Sequence, residues 1–182
     1  MKKIGEGYYY NVFELNTDTV LKIVKSKLRI FLFIFFANKC NVSNTKQEYN
    51  KVLTSIPQLK TVYGKILKTI SDKSIIGNPL FINETDYRQD KVRELRNIND
   101  LNDQDFTKVI NDYINLLKKL WYFEVSDSVF NFSINCGYNK NEELVLIDFN
   151  EMSFDKKEII DQIAEKVWMK RSSYVRLTQE KF

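Results

Sequence analysis

The chain has 182 residues, a formal net charge of +4, two cysteines and no histidine. The absence of histidine excludes imidazole acid–base chemistry, His-containing triads and His metal sites, so any catalysis must run on carboxylates, lysine, hydroxyls or a bound metal. The positive charge is spread without a long basic block, so nucleic-acid binding is not indicated.

The apolar fraction of 43% and charged fraction of 29% are those of a folded globular protein, and the scarcity of Gly and Pro argues against a linker-rich chain. This length supports one substantial core, divisible into two small lobes. Cys40 and Cys136 are far apart and form no CxxC pair. With no signal-peptide pattern at the N-terminus, they are expected to be free thiols in a reducing cytoplasm.

The first residues, Ile4-Gly5-Glu6-Gly7-Tyr8-Tyr9-Tyr10-Asn11-Val12-Phe13, place two glycines one residue apart. Such a turn lets backbone approach a ligand closely, although hairpins use glycine widely. Val12–Leu15, the turn at Asn16-Thr17-Asp18, and Thr19–Val24 form a β-hairpin pattern with Lys22 on its second arm. Leu28 to Ala37 is the most hydrophobic stretch, yet far shorter than the roughly 20 residues of a membrane span. Two readings stand: a buried strand or helix, or a surface anchor with Lys25, Lys27 and Arg29 facing anionic headgroups.

Lys46 to Leu53 reads as helix and carries Glu48. Val62–Leu67 and Ser74–Ile82 read as strands, with Pro79 marking an edge or connector. The polar segment Asn83–Asn102 is expected to link two lobes. From Asp103 to Phe123 the apolar residues Phe106, Ile110, Tyr113, Leu117 and Leu120 recur every three or four positions, the stripe of an amphipathic helix capped by Asn102 or Asp103.

Asn131–Asn135 alternates like a strand, and Leu144-Val145-Leu146-Ile147 reads as a buried strand delivering Asp148 at its tip. A hairpin through the turn around Asn139 and Asn141 would bring Asn131 beside Asp148. An amide oxygen and a carboxylate are hard ligands suited to Mg²⁺. A last helix is expected from Asp155 to about Met169, burying Ile159, Ile160, Ile163 and Val167, before a basic tail from Lys170.

The order of these features resembles the protein-kinase-like fold over nearly the whole chain. Gly5 to Val12 looks like its phosphate-covering loop, Val20-Leu21-Lys22-Ile23 like the strand carrying its ATP lysine, and Asp148-Phe149-Asn150 like its Asp-Phe-Gly metal site. The resemblance makes Glu48 the helix partner of Lys22. More closely, Ile110–Leu120, Ser126–Asn135 and the strand ending at Asp148 resemble the bacterial PhoP regulatory network proteins called YrbL.

What the resemblance implies is an α+β, two-lobed domain: a β-rich lobe over 1–83 and a reduced helical lobe over 84–182. It further implies an ATP-dependent phosphotransferase of unknown acceptor. Gly5, Gly7, Val12, Lys22 and Glu48 would bind the nucleotide, Asn131 and Asp148 would hold Mg²⁺, and Asp127 would orient the acceptor hydroxyl. The expected setting is the cytoplasm or the inner face of a membrane, with residues 28–37 as the contact.

Three departures from the pattern stand out. Tyr10 replaces the third glycine of the loop and is expected to crowd it. Asn150 replaces the metal-site glycine as a residue that tolerates left-handed backbone. Five residues before Asn131 stands Ser126, with Asp127 one later, so either could occupy the catalytic-base position. The stretch after Asp148 is short and has no Ala-Pro-Glu motif, so a large peptide-docking surface is not expected. The degenerate loop keeps a second expectation open: a pseudokinase that acts as a nucleotide-binding regulatory or interaction module.

Overall fold

In the computed structural model, which describes residues 1–95 and 101–170, the chain is a mixed α+β protein. It divides into two units. One comprises Met1–Lys65 with Pro79–Asp90; the other comprises Ile66–Asn78 with the described residues from Lys91 onward. The first unit therefore takes in residues beyond 83 and leaves out 66–78.

The first unit is built on β1 (Lys2–Glu6), β2 (Tyr10–Glu14), β3 (Thr19–Val24), β4 (Leu80–Phe81) and β5 (Tyr87–Asp90), an antiparallel sheet in the order β1-β2-β3-β5-β4. Pro79 precedes the edge strand β4, where a missing N–H breaks no ladder bond. The β1–β2 register slips between Lys3 and Gly5, then resumes as Gly5 opposite Val12 and Glu6 opposite Asn11. A bulge of this kind bends the strand as it enters the glycine turn.

Between β3 and β4 lie two helices, α1 (Lys27–Ala37) and α2 (Val42–Thr69). Leu28–Ala37 is therefore helical, with one face buried as the first reading expects. Ile30 and Ile34 are buried in a cluster with Val52, whereas Leu28, Leu32 and Phe36 are exposed. Val62–Leu67, read as a strand, instead continues α2, with Leu59, Tyr63 and Ile66 buried at helical spacing. Pro57 sits inside that helix. Among the described residues no helix is long and apolar enough to cross a membrane.

A short 3₁₀ turn (Lys73–Ile76) and β4 replace the strand expected over Ser74–Ile82. Gly77 closes that turn at φ 66°, the left-handed geometry glycine adopts most readily. The segment read as a linker contributes β5 and β6 (Arg93–Glu94), and residues 96–100 of it lie outside the described residues.

In the second unit α3 (Asp103–Tyr122) follows the expected span, and the Asn102 side chain accepts from Asp105 N at 2.9 Å as its cap. It buries Phe106, Val109, Tyr113, Leu116, Leu117 and Leu120, while Ile110 stays half-buried. Then come β7 (Ser126–Asp127), α4 (Phe132–Asn135), β8 (Cys136–Tyr138), β9 (Leu144–Leu146) and β10 (Met152–Ser153). The strand expected over Asn131–Asn135 is thus a helical turn, and the hairpin starts at Cys136, opposite Leu146.

The C-terminal helix breaks in two, α5 (Lys156–Ala164) and α6 (Val167–Lys170), with Lys166 at φ 51° between them. Asp155 caps α5 through Lys157 N and Glu158 N. Ile159 is buried as expected, but Ile160 and Ile163 are exposed and Gln162 takes the inward position. Gln162 can do so because Oε1 accepts from Ser126 Oγ at 2.7 Å and Nε2 donates to Glu158. The tail beyond Lys170 lies outside the described residues. Both cysteines are free, Cys40 exposed and Cys136 buried.

Candidate functional site

The glycine turn of the first unit joins β1 to β2, with Gly7 N donating to Tyr10 O at 3.0 Å. Neither glycine is demanded by the fold. Neither has positive φ, a Cβ on Gly7 would meet nothing within 4 Å, and one on Gly5 would make only ordinary contact with Val12 at 3.8 Å. Tyr10 does not crowd the turn. It is buried, its hydroxyl bonds to that of Tyr63, and its ring packs edge-on to Tyr87.

Lys22 pairs across the sheet with Val12 on one side and Tyr87 on the other. Cross-strand partners share a face, so Val12, Lys22 and Tyr87 lie together. Lys22 is only 8% exposed, with its ammonium 5.4 Å from the Tyr87 ring centroid. It is therefore not the solvated strand lysine that sequence alone would also allow. Glu48 is half-buried on α2 and accepts from Asn38 Nδ2 at 3.0 Å, rather than engaging Lys22.

The second unit assembles its carboxylates from β7 and the end of the β8–β9 hairpin. Asp127 is 2% exposed. Its Oδ1 accepts from Val129 N at 2.9 Å, and Oδ2 is buried with no hydrogen-bond partner. Burial pushes its carboxyl up to about 6; nearby Asp148 adds to this, while the Val129 and Phe130 amides and the Asn135 side chain oppose it. Ser126, the other claimant to that position, is buried with its hydroxyl held by Gln162.

Asp148 follows β9 and is half-buried. Its Oδ1 accepts from Asn150 Nδ2 at 2.6 Å. Asn150 thus contributes a side-chain bond, not the left-handed backbone expected of it; its φ is not positive. Both Ile147 N and Asp148 N donate to the carbonyl of Asn135, at 2.7 and 3.2 Å. Asn131, one turn earlier, begins α4 and directs its Oδ1 to Ser133 Oγ at 3.1 Å. Asn135, which the strand reading of this segment concealed, is thus tied to the Asp148 backbone through its own backbone carbonyl, and the side-chain amide on the Asp148 carboxylate is that of Asn150. Glu151 was also missed, and its carboxyl is raised by desolvation and by Asp148.

Tyr113 and Cys136 flank Asp127 from the interior. Both are pushed up, chiefly by burial and further by the Asp127 charge, which makes the Cys136 thiol a poor nucleophile. No protein-family model matches this chain, and no curated protein matches it. The functional reading therefore rests on the side chains themselves.

Of these side chains, Asp127 and Asp148 are the ones that could hold a hard cation. Asp127 presents a buried oxygen without a partner, Asp148 raises the carboxyls of its neighbours, and the surrounding donors are oxygens and amides. Among the described residues no cluster of three Asp, Glu, Cys or His side chains is arranged around a metal position. An ion held here would keep part of its water or phosphate shell, the habit of Mg²⁺ rather than of a fully caged metal.

Proposed function

We propose that the chain is an ATP-dependent phosphotransferase of kinase-like fold, acting on an acceptor hydroxyl. The observation that carries this reading is Asp127: a buried carboxylate with one unpartnered oxygen, raised to about 6 and influenced by Asp148. A base near neutrality balances availability against proton affinity, as general-base catalysis requires. In this reading Asp127 accepts the proton of the attacking hydroxyl, and Asp148 with the Asn135 amide holds Mg²⁺ against the nucleotide phosphates.

The first unit, taken by itself, carries the other residues on which the reading rests. Lys22 stands on the third strand of its sheet, where the kinase pattern puts the lysine that pairs with phosphate. Val12 shares its face, and glycines that the fold does not require precede it. Bound Mg²⁺ would neutralise developing charge on the phosphates; the chain's own part is to orient them and remove the acceptor proton.

The test is transfer from labelled ATP, with water and simple alcohols or sugars as acceptors. Asp127→Ala should lower turnover at least a hundredfold while leaving nucleotide affinity within a few-fold. Lys22→Met should weaken nucleotide binding itself. Full turnover in Asp127→Ala would remove that residue's role.

One observation favours a second reading, a nucleotide-binding regulator without transfer. Active kinases need their strand lysine paired with the helix glutamate, and Glu48 is engaged by Asn38 instead. Nucleotide-dependent stabilisation without turnover under any acceptor condition would select this alternative.

A further inference from the structure

Lys3, Lys25 and Arg29 line a pocket of about 680 Å³ in the first unit, together with Leu32, Phe33 and Phe36 of α1. Lys25 is the unusual member. It is 4% exposed, and its ammonium is buried with no hydrogen-bond acceptor. It lies 3.6 Å from the Phe33 ring centroid and 3.6 Å from Glu6 Oε2, a carboxylate that Lys3 already binds at 2.5 Å. A buried ammonium whose three donors meet only a carboxylate at 3.6 Å, shared with a second lysine, is costly unless a further anion completes its shell. Burial accordingly holds Lys25 below the usual lysine range, with Glu6 opposing.

This pocket is separate from the Lys22 face. Asn11 and Glu6 pair with one another and both line the pocket, whereas Lys22 pairs with Val12. Successive strand residues point to opposite faces, so the pocket opens on the other side of the β2–β3 ribbon from Lys22. Three cations against one carboxylate leave it positive.

Beside it runs an apolar stripe. Leu28, Leu32 and Phe36, spaced by four on α1, are 68%, 42% and 68% exposed. We propose that this pocket takes the phosphate of an anionic phospholipid at a bilayer surface, with the Leu28-Leu32-Phe36 edge of α1 lying among the acyl chains. Charge selects the anionic headgroup, and the stripe selects a lipid over free phosphate. A basic pocket flanked by apolar helix surface fits an interfacial contact, and the helix is too short to span.

The test is cosedimentation of the full chain with phosphatidylglycerol–phosphatidylcholine vesicles and with pure phosphatidylcholine vesicles, at physiological ionic strength. Binding should be confined to the anionic vesicles. Lys25→Met and Arg29→Gln should each weaken it about fivefold or more, and Phe36→Asp should abolish it. Lys118→Gln, on α3 of the other unit, should leave it unchanged. Arg29 and Phe36 are exposed, so they carry the test should the Lys25 variant fail to fold. The proposal is overturned by absence of binding, by equal binding to neutral vesicles, or by Arg29→Gln and Phe36→Asp binding as wild type. Lys25-dependent binding of inorganic phosphate without vesicle binding would likewise overturn it in favour of a soluble anion.

Discussion

The amide of Asp148 donates to the carbonyl of Asn135 at 3.2 Å, and the Asn135 side chain in turn favours the charged form of Asp127. One asparagine therefore connects the two acidic residues of the candidate site. Asn131, by contrast, is directed to Ser133. Asn135→Ala should lower Mg²⁺-dependent nucleotide stabilisation at least tenfold in apparent affinity, and Asn131→Ala should change it less than threefold. Titration by differential scanning fluorimetry distinguishes them, and the reverse order would restore Asn131 as the metal amide.

Asp127 also gives the fold a pH dependence of definite sign. Its folded carboxyl, at about 6, lies above the ordinary value of 3.8. Between these values the folded chain holds a proton that the unfolded chain has released. Its contribution to stability is thus present at low pH and is lost as pH rises through about 4 to 6. That span corresponds to on the order of 3 kcal/mol. Asp127→Asn should remove this component and be the more stable protein at pH 7, as measured by urea unfolding across pH. Glu151 shifts in the same direction, so the difference between wild type and variant is the quantity to compare.

Two glycines should respond differently to alanine. At Gly137 a Cβ would stand 2.4 Å from Val92 Cγ2 and 3.0 Å from the Arg93 carbonyl, so Gly137→Ala should cost about 1–3 kcal/mol. At Gly7 nothing lies within 4 Å, and Gly7→Ala should change stability by no more than about 0.5 kcal/mol. If the turn covers phosphates, Gly7→Ala should nonetheless weaken ATP binding several-fold. Unfolding curves with and without nucleotide separate the two effects.

Where the sequence read correctly, one period ran unbroken over several turns. The apolar stripe from Phe106 to Leu120 specified α3 and its Asn102 cap, and the run Leu144–Ile147 specified β9 and the delivery of Asp148. It misled where windows were short. Val62–Leu67 looks like strand in isolation, and Pro57 and Gly64 hide the Leu59-Tyr63-Ile66 stripe that makes it part of α2. At Asn131–Asn135 five alternating residues mimic a strand, and the segment folds instead as the helical turn α4. Burial of lone polar groups was not legible at all. That Lys25 and Asp127 lie inside depends on packing between segments distant in sequence, and that Glu48 is engaged by Asn38 depends on how α1 turns into α2.

The most direct test of the account is thermal unfolding with and without Mg²⁺-ATP, for wild type and Asp148→Asn. At about a hundred times its dissociation constant the nucleotide should stabilise wild type by about 2.7 kcal/mol. The shift should require Mg²⁺ and disappear in Asp148→Asn. No shift at millimolar Mg²⁺-ATP, or an equal shift in the variant, would contradict the assignment of Asp148 to a nucleotide-bound metal.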